Sequence, residues 1–129
     1  MDLTTAYASI ANGGYAVWPY AIEDLYHRDG FQLYQRESTD KTQILDPVAV
    51  LELTQMLEKV VQSGTGHRAQ INGFAAGKTG TSQDNRDAWF VGFTDDLVGA
   101  VWLGNDDNSP MKGVYGSGLP AQIWKKIMQ

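Results

Sequence analysis

Apolar positions along this chain change period between its two halves. Leu3, Ala6, Tyr7, Ile10 and Ala11 recur at helical spacing, with Asp2 placed as N-cap and Gly13-Gly14 as the stop, so a short first helix is predicted. Residues 15–20 read as extended chain, because Pro19 disfavours helix at Trp18. Residues 22–26 and 31–34 flank Asp29-Gly30, a pair suited to a turn with positive φ, and predict a β-hairpin. A polar, unpatterned stretch over 36–45 reads as surface loop. Asp46-Pro47 then opens the longest helix, its apolar stripe made of Val50, Leu53, Leu57, Val60 and Val61 and its end marked by Ser63-Gly64.

After residue 66 the period shortens. A loop over 66–71 leads to a strand over 74–81 built of small residues. Two nearly continuous apolar runs follow, Ala88 to Phe93 and Leu97 to Leu103, of the kind found in central strands covered on both faces. Thr94-Asp95-Asp96 between them predicts a tight antiparallel connection. Residues 105–117 form a loop rich in Gly, Asn, Asp and Pro. Pro120 opens a last helix with Ile123, Trp124, Ile127 and Met128 facing inward. The fold class expected is α+β: helix, hairpin, helix, three-stranded antiparallel meander, helix, all in a single domain over residues 1–129.

Composition narrows the functions open to such a fold. With 43% apolar and 19% charged residues the chain is globular in composition. A net charge of −5, with ten scattered basic residues, argues against a nucleic-acid or anionic-membrane surface. No cysteine is present, which removes disulfides, thiolate metal sites and cysteine nucleophiles. No apolar run is long enough to cross a bilayer, and the first residues lack the basic region of a signal peptide. His27 and His67 lack a ligand pattern, and the loop aspartates (Asp84, Asp87, Asp95, Asp96, Asp106, Asp107) lack the spaced series of a calcium loop, so no metal site and no cofactor are expected. Trp89, Trp102 and Trp124 are expected as core.

The stretch over 73–82 stands apart. It reads Gly-Phe-Ala-Ala-Gly-Lys-Thr-Gly-Thr-Ser, and Gly77 and Gly80 weaken a strand without any packing return. A nucleotide-binding P-loop is excluded: the upstream glycine, Gly73, is one position too close, and no helix start follows Thr79. Period two puts Thr79 and Thr81 on one face and Lys78 on the other. A cation beside hydroxyls and glycines on an edge suits an anionic ligand held at backbone distance.

Several blocks of the sequence resemble the transpeptidase domain of penicillin-binding proteins, most closely the class A, bifunctional type. They are Ala6-Tyr7-Ala8 with Ala11-Asn12-Gly13-Gly14, Gly64-Thr65-Gly66, Gly77-Lys78-Thr79-Gly80-Thr81, Asp87-Ala88-Trp89-Phe90-Val91-Gly92-Phe93, Val101-Trp102-Leu103-Gly104, and the closing Pro120-Ala121-Gln122-Ile123-Trp124. The resemblance implies the C-terminal portion of a β-lactamase/D,D-peptidase-like fold and a peptidoglycan D,D-transpeptidase that acts through a serine acyl-enzyme and binds β-lactams. Lys78 would then supply positive charge and assist proton transfer, Thr79, Gly80 and Thr81 would bind the substrate's carboxylate end, and the backbone N–H of Thr81 would form half of an oxyanion hole. The partners implied are a D-Ala-D-Ala stem peptide and β-lactams, on the periplasmic side of the bacterial inner membrane. The family's S-x-x-K and S-x-N motifs are not matched. Ser38-Thr39-Asp40-Lys41 lies in a polar loop, Ser109-Pro110-Met111-Lys112 holds a proline between its ends, and Ser-x-Asn is absent. The chain is therefore expected to carry one wall of the site without the nucleophile and to be inactive alone. Two alternatives stand beside this. One is a serine β-lactamase relative. The other is an inactive scaffold piece that pairs with a second copy along the open edge from Leu97 to Leu103.

Overall fold

The computed structural model describes residues 1–37 and 41–129. In chain order the elements are α1 (Asp2–Ala11), β1 (Asp24–Tyr26), β2 (Gln32–Gln35), α2 (Pro47–Gln62), β3 (Ala76–Thr81), β4 (Asp87–Phe93), β5 (Val98–Gly104) and α3 (Leu119–Met128). The order matches the expected plan, with differences of detail that have physical causes.

Asp2 is the first helical residue of α1 rather than its cap, and Met1 takes the cap position without a side-chain bond. At the other end Gly13 and Gly14 adopt φ of +71° and +90°, the left-handed conformation that stops a helix cheaply only at glycine. In α2 the Asp46 carboxylate accepts from the N–H groups of Val48 and Ala49 at 2.9 and 3.0 Å, with Pro47 in the first turn. That satisfies two of the four donors a helix start leaves unpaired.

The hairpin is shorter than expected and its turn differs. His27 accepts from Gly30 N–H at 2.9 Å, so Arg28 and Asp29 are the central turn residues and Gly30, at φ +89°, follows them as the positive-φ bulge residue. Further from the turn the register shifts again between Leu25 and Tyr26, where Leu33 of β2 is left over between the partners Tyr34 and Gln32, a second irregularity in the hairpin.

Strands β3, β4 and β5 form one antiparallel sheet in that order. Thr79 pairs with Phe90 and Phe90 with Val101. Side-chain alternation sends Phe90 to one face and Val91 and Phe93 to the other. On the first face Phe90 packs with Val61, Ala69, Ala75, Ala121 and Trp124. Phe90 and Trp124 meet edge to face at 5.1 Å, and Trp124 Nε1 donates to Gly99 O at 3.1 Å. On the second face Phe93 and Ala76 pack with Leu57 of α2 and with Tyr7 and Ile10 of α1. Helix α2 thus contributes to both clusters and holds the β3 side of the sheet.

Strand β4 is central and buried, as its apolar run predicts. Strand β5 is an edge strand rather than a central one: it has β4 as its one neighbour among the described residues, its residues are only partly buried, and Trp102 remains 47% exposed. Trp89 is half-buried and meets Trp102 in a tilted contact with ring centroids 6.2 Å apart, so only Trp124 of these three tryptophans is core. Ile127 is also exposed. The inward stripe of α3 is centred on Ala121, Trp124 and Met128, one helical face, and Ile127 falls beyond its border.

Candidate functional site

The site is built on β3, Ala76-Gly77-Lys78-Thr79-Gly80-Thr81. Gly77 is required by packing: a Cβ there would lie 2.7 Å from the Phe90 ring and from Val91 O. Gly80 is different. A Cβ at Gly80 would make only an ordinary contact of 3.4 Å with Trp89 Cβ, so nothing inside the protein demands glycine. Its bare face opens onto a cleft of about 340 Å³ lined by Leu3, Tyr7, Lys78, Gly80, Asp87 and Trp89 among others. Leu3 and Tyr7, one turn apart on α1, form the opposite wall. Burial raises the Tyr7 hydroxyl above its ordinary pKa, so it stays protonated.

Backbone direction follows from the hydrogen-bond pattern. Ser82 N–H donates to Asp87 O at 3.0 Å, which makes 82 and 87 a bonded pair. Bonded and non-bonded pairs alternate in an antiparallel ladder. The register pairs Thr81 with Ala88 and Thr79 with Phe90, so Thr79 and Thr81 turn their N–H and C=O groups away from β4. Strand β3 therefore offers the N–H groups of Thr79 and Thr81 along its outer edge. Neither N–H has a hydrogen-bond partner outside the sheet among the described residues. Lys78 is exposed, and its Nζ donates to the outward carbonyl of Thr79 at 2.9 Å. Among the described residues it makes no ion pair.

Thr79 and Thr81 share a face, with Lys78 on the other, as the period predicts. Their hydroxyls are already engaged on that face. Thr81 Oγ1 accepts from Gly116 N–H at 3.0 Å, which leaves its own proton to donate. Thr79 Oγ1 lies 2.8 Å from Thr65 Oγ1. Beyond Thr81 the turn is locked: Asp87 N–H donates to Ser82 Oγ at 2.7 Å, and Trp102 Nε1 donates to Asp87 Oδ1 at 3.0 Å. Asp84 and Asn85 take left-handed φ of 57° and 55° there, a conformation their short polar side chains tolerate.

Two residues that shape this edge carry little signal of their own. Gly116 sits so close over Gly80 and Trp89 that a Cβ would meet their carbonyl oxygens. Thr65 stands in the Gly64-Thr65-Gly66 block that resembles the family, but nothing in that block says which side chain it meets. Of the serines in the two S-x-x-K patterns, Ser38 lies outside the described residues. Ser109 is in an irregular loop, where Asn105 Nδ2 donates to its Oγ and O at 3.1 Å, and not at a helix start.

A three-stranded antiparallel sheet between helices, edged by a Lys-Thr-Gly-Thr strand beside a cleft, belongs to the β-lactamase/D,D-peptidase-like class. The solved structure of the penicillin-binding protein PonA1 from Mycobacterium tuberculosis superposes with a TM-score of 0.89 at 30% identity, over 98% of this chain and 36% of that one. The same protein in complex with penicillin V gives 0.87, also at 30% identity, over 98% and 36%. Penicillin-binding protein 1A of Neisseria meningitidis is 37% identical over 136 residues, covering 100% of this chain and 17% of its own length. The family model for the penicillin binding protein transpeptidase domain matches residues 1–129. The chain belongs to that family, and it spans under a fifth of the curated relative it matches.

Proposed function

We propose that this chain is the substrate-gripping wall of a peptidoglycan D,D-transpeptidase, a C-terminal part of its acyl-transfer domain over residues 1–129. In this reading a serine contributed by another part of the polypeptide attacks the carbonyl between the two terminal D-alanines. Its proton passes to the leaving D-alanine amine; an acceptor amine then attacks the acyl-enzyme ester, the acyl–serine bond breaks as the new amide forms, and the amine's proton returns to the serine. Lys78 holds positive charge toward the substrate's terminal carboxylate and assists the proton transfers. The Thr79 and Thr81 hydroxyls donate to that carboxylate, the N–H of Thr81 holds the developing oxyanion, and Gly80 lets the peptide or a β-lactam lie against the strand. No cofactor enters. The parent acts on the periplasmic side of the bacterial inner membrane.

The observation that carries this reading is the outer edge of β3: outward N–H groups at Thr79 and Thr81, a lysine ammonium that makes no ion pair among the described residues, and a glycine that no internal contact requires. A relative with this fold is known in complex with penicillin V, which supports β-lactams as ligands. Fluorescent penicillin tests the reading directly. The full-length polypeptide should label covalently, and the isolated 129-residue chain should not. Covalent labelling of the isolated chain, lost on Ser109→Ala or Ser38→Ala, would overturn the assignment of the nucleophile elsewhere.

A second reading is favoured by β5. Thr94 N–H donates to Leu97 O at 2.9 Å, so the same alternation turns the backbone groups of Val98, Ala100 and Trp102 outward. The strand VGAVWLG contains no charge and no proline to block pairing. The isolated chain should therefore dimerise through this edge. Sedimentation at high concentration should show a dimer that Ala100→Pro abolishes, and a monomer throughout would refute the pairing.

A further inference from the structure

The Gly64-Thr65-Gly66 segment joins the end of α2 to the approach to β3, and it is pressed closely against its surroundings. Gly64 N–H donates to Lys59 O and Val60 O, both at 3.1 Å, and Gly66 N–H donates to Val60 O at 2.9 Å. A Cβ on Gly64 would lie 2.8 Å from Val60 Cα, and one on Gly66 would lie 3.1 Å from the Phe90 ring. Both glycines are thus set by the close approach of the loop to α2 and to the sheet. Thr65 is the one side chain the tripeptide presents, and its hydroxyl lies 2.8 Å from that of Thr79.

Two hydroxyls in one hydrogen bond use one of their two protons. If Thr79 donates to Thr65, it has no proton for a ligand. If Thr65 donates, the Thr79 proton is free to point from the strand edge. An anion at that edge selects the second arrangement, giving a chain from Thr65 O–H to Thr79 O–H to the carboxylate in which each bond polarises the next. We propose that Thr65 is a positioning residue: its hydroxyl donates to Thr79 Oγ1 and so aims the Thr79 proton at the carboxylate of the substrate or β-lactam. This rests on the transpeptidase reading of β3.

The test uses the full-length polypeptide that carries this chain. Thr65→Val keeps the shape and removes the donor, and Thr65→Ser keeps the donor. Second-order acylation rates are measured with a fluorescent penicillin and with its methyl ester, which lacks the anionic carboxylate. Thr65→Val should acylate about tenfold more slowly with the free acid, as expected for losing support of a bond to a charged group. Thr65→Ser should stay within about twofold of wild type, since the donor is kept. With the ester, Thr65→Val and wild type should react alike. A purely structural role would lower both substrates together and leave the acid-to-ester ratio unchanged, which would overturn the proposal. Equal rates for wild type and Thr65→Val with the free acid would overturn it as well. A wild-type polypeptide that takes no penicillin overturns the transpeptidase reading and this one together, whereas the first two results overturn only the role of Thr65.

Discussion

Gly116→Ala probes the contact that holds the 105–118 loop against the site. Gly116 is not in a left-handed conformation, so the substitution adds no backbone strain and acts by sterics alone. The new methyl group would meet the carbonyl oxygens of Gly80 and Trp89 and would lie 2.9 Å from Gly80 N. All three are backbone atoms of a paired ladder and cannot swing aside, so the loop must lift. Overpacking of this kind costs about 1–3 kcal/mol. Lifting also breaks the half-buried bond from Gly116 N–H to Thr81 Oγ1, worth about 1 kcal/mol. The expected total is about 3 kcal/mol. For 129 residues the unfolding entropy is about 0.27 kcal/mol/K, so Tm should fall by about 10 °C. Gly113→Ala serves as control: it has φ of +71° and open space around its Cβ, so only the left-handed backbone is penalised, by about 1–2 kcal/mol. Thermal unfolding followed by tryptophan fluorescence gives both numbers, and amide exchange at residue 116 reports the lost bond. A Gly116→Ala protein no less stable than Gly113→Ala would refute the close approach.

Two further outcomes are expected. Asp46→Ala removes the acceptor for the Val48 and Ala49 N–H groups and should cost about 1 kcal/mol by urea denaturation, while Asp46→Asn should restore most of it; an Ala variant as stable as wild type would refute the cap. The Asp29 carboxyl is held below its ordinary value first by its hydrogen bond with His27, at 2.8 Å, and then by Phe31 N–H at 3.1 Å. A depressed carboxyl contributes stability above the unfolded pKa and loses it as pH falls through the folded one, so the hairpin turn should loosen only on acidification into that range. A carboxyl titration followed by NMR should show Asp29 below an ordinary aspartate, and a midpoint at or above the ordinary value would contradict this geometry.

Much of the fold is legible because its signals are local. The Asp46-Pro47 start, the period of α2 and the tight turn at 94–96 each depend on residues within a turn of one another, and the structure keeps all three. Misreadings occur where a partner far along the chain decides. Trp102 and Ile127 carry the same apolar signal as Trp124, yet exposure separates them, because Trp102 lies outside the cluster that α1 packs at the Phe93 and Val98 end and α3 meets the sheet along a single stripe. The hairpin turn is the local exception: Gly30 follows the turn centre instead of forming it, since a glycine's freedom fits either position.

At β3 the division is sharper. By itself the sequence determined that a lysine, two threonines and two glycines share a short strand, that Thr79 and Thr81 face one way and Lys78 the other, and that the pattern is that of a transpeptidase family. Tertiary structure decided which backbone groups point outward, because that depends on how Ser82 and Asp87 pair. It also decided that Thr79 meets Thr65 across 14 residues and that Thr81 meets Gly116 across 35. Residue type says that a hydroxyl can donate or accept. Only packing brings its partner within 3 Å.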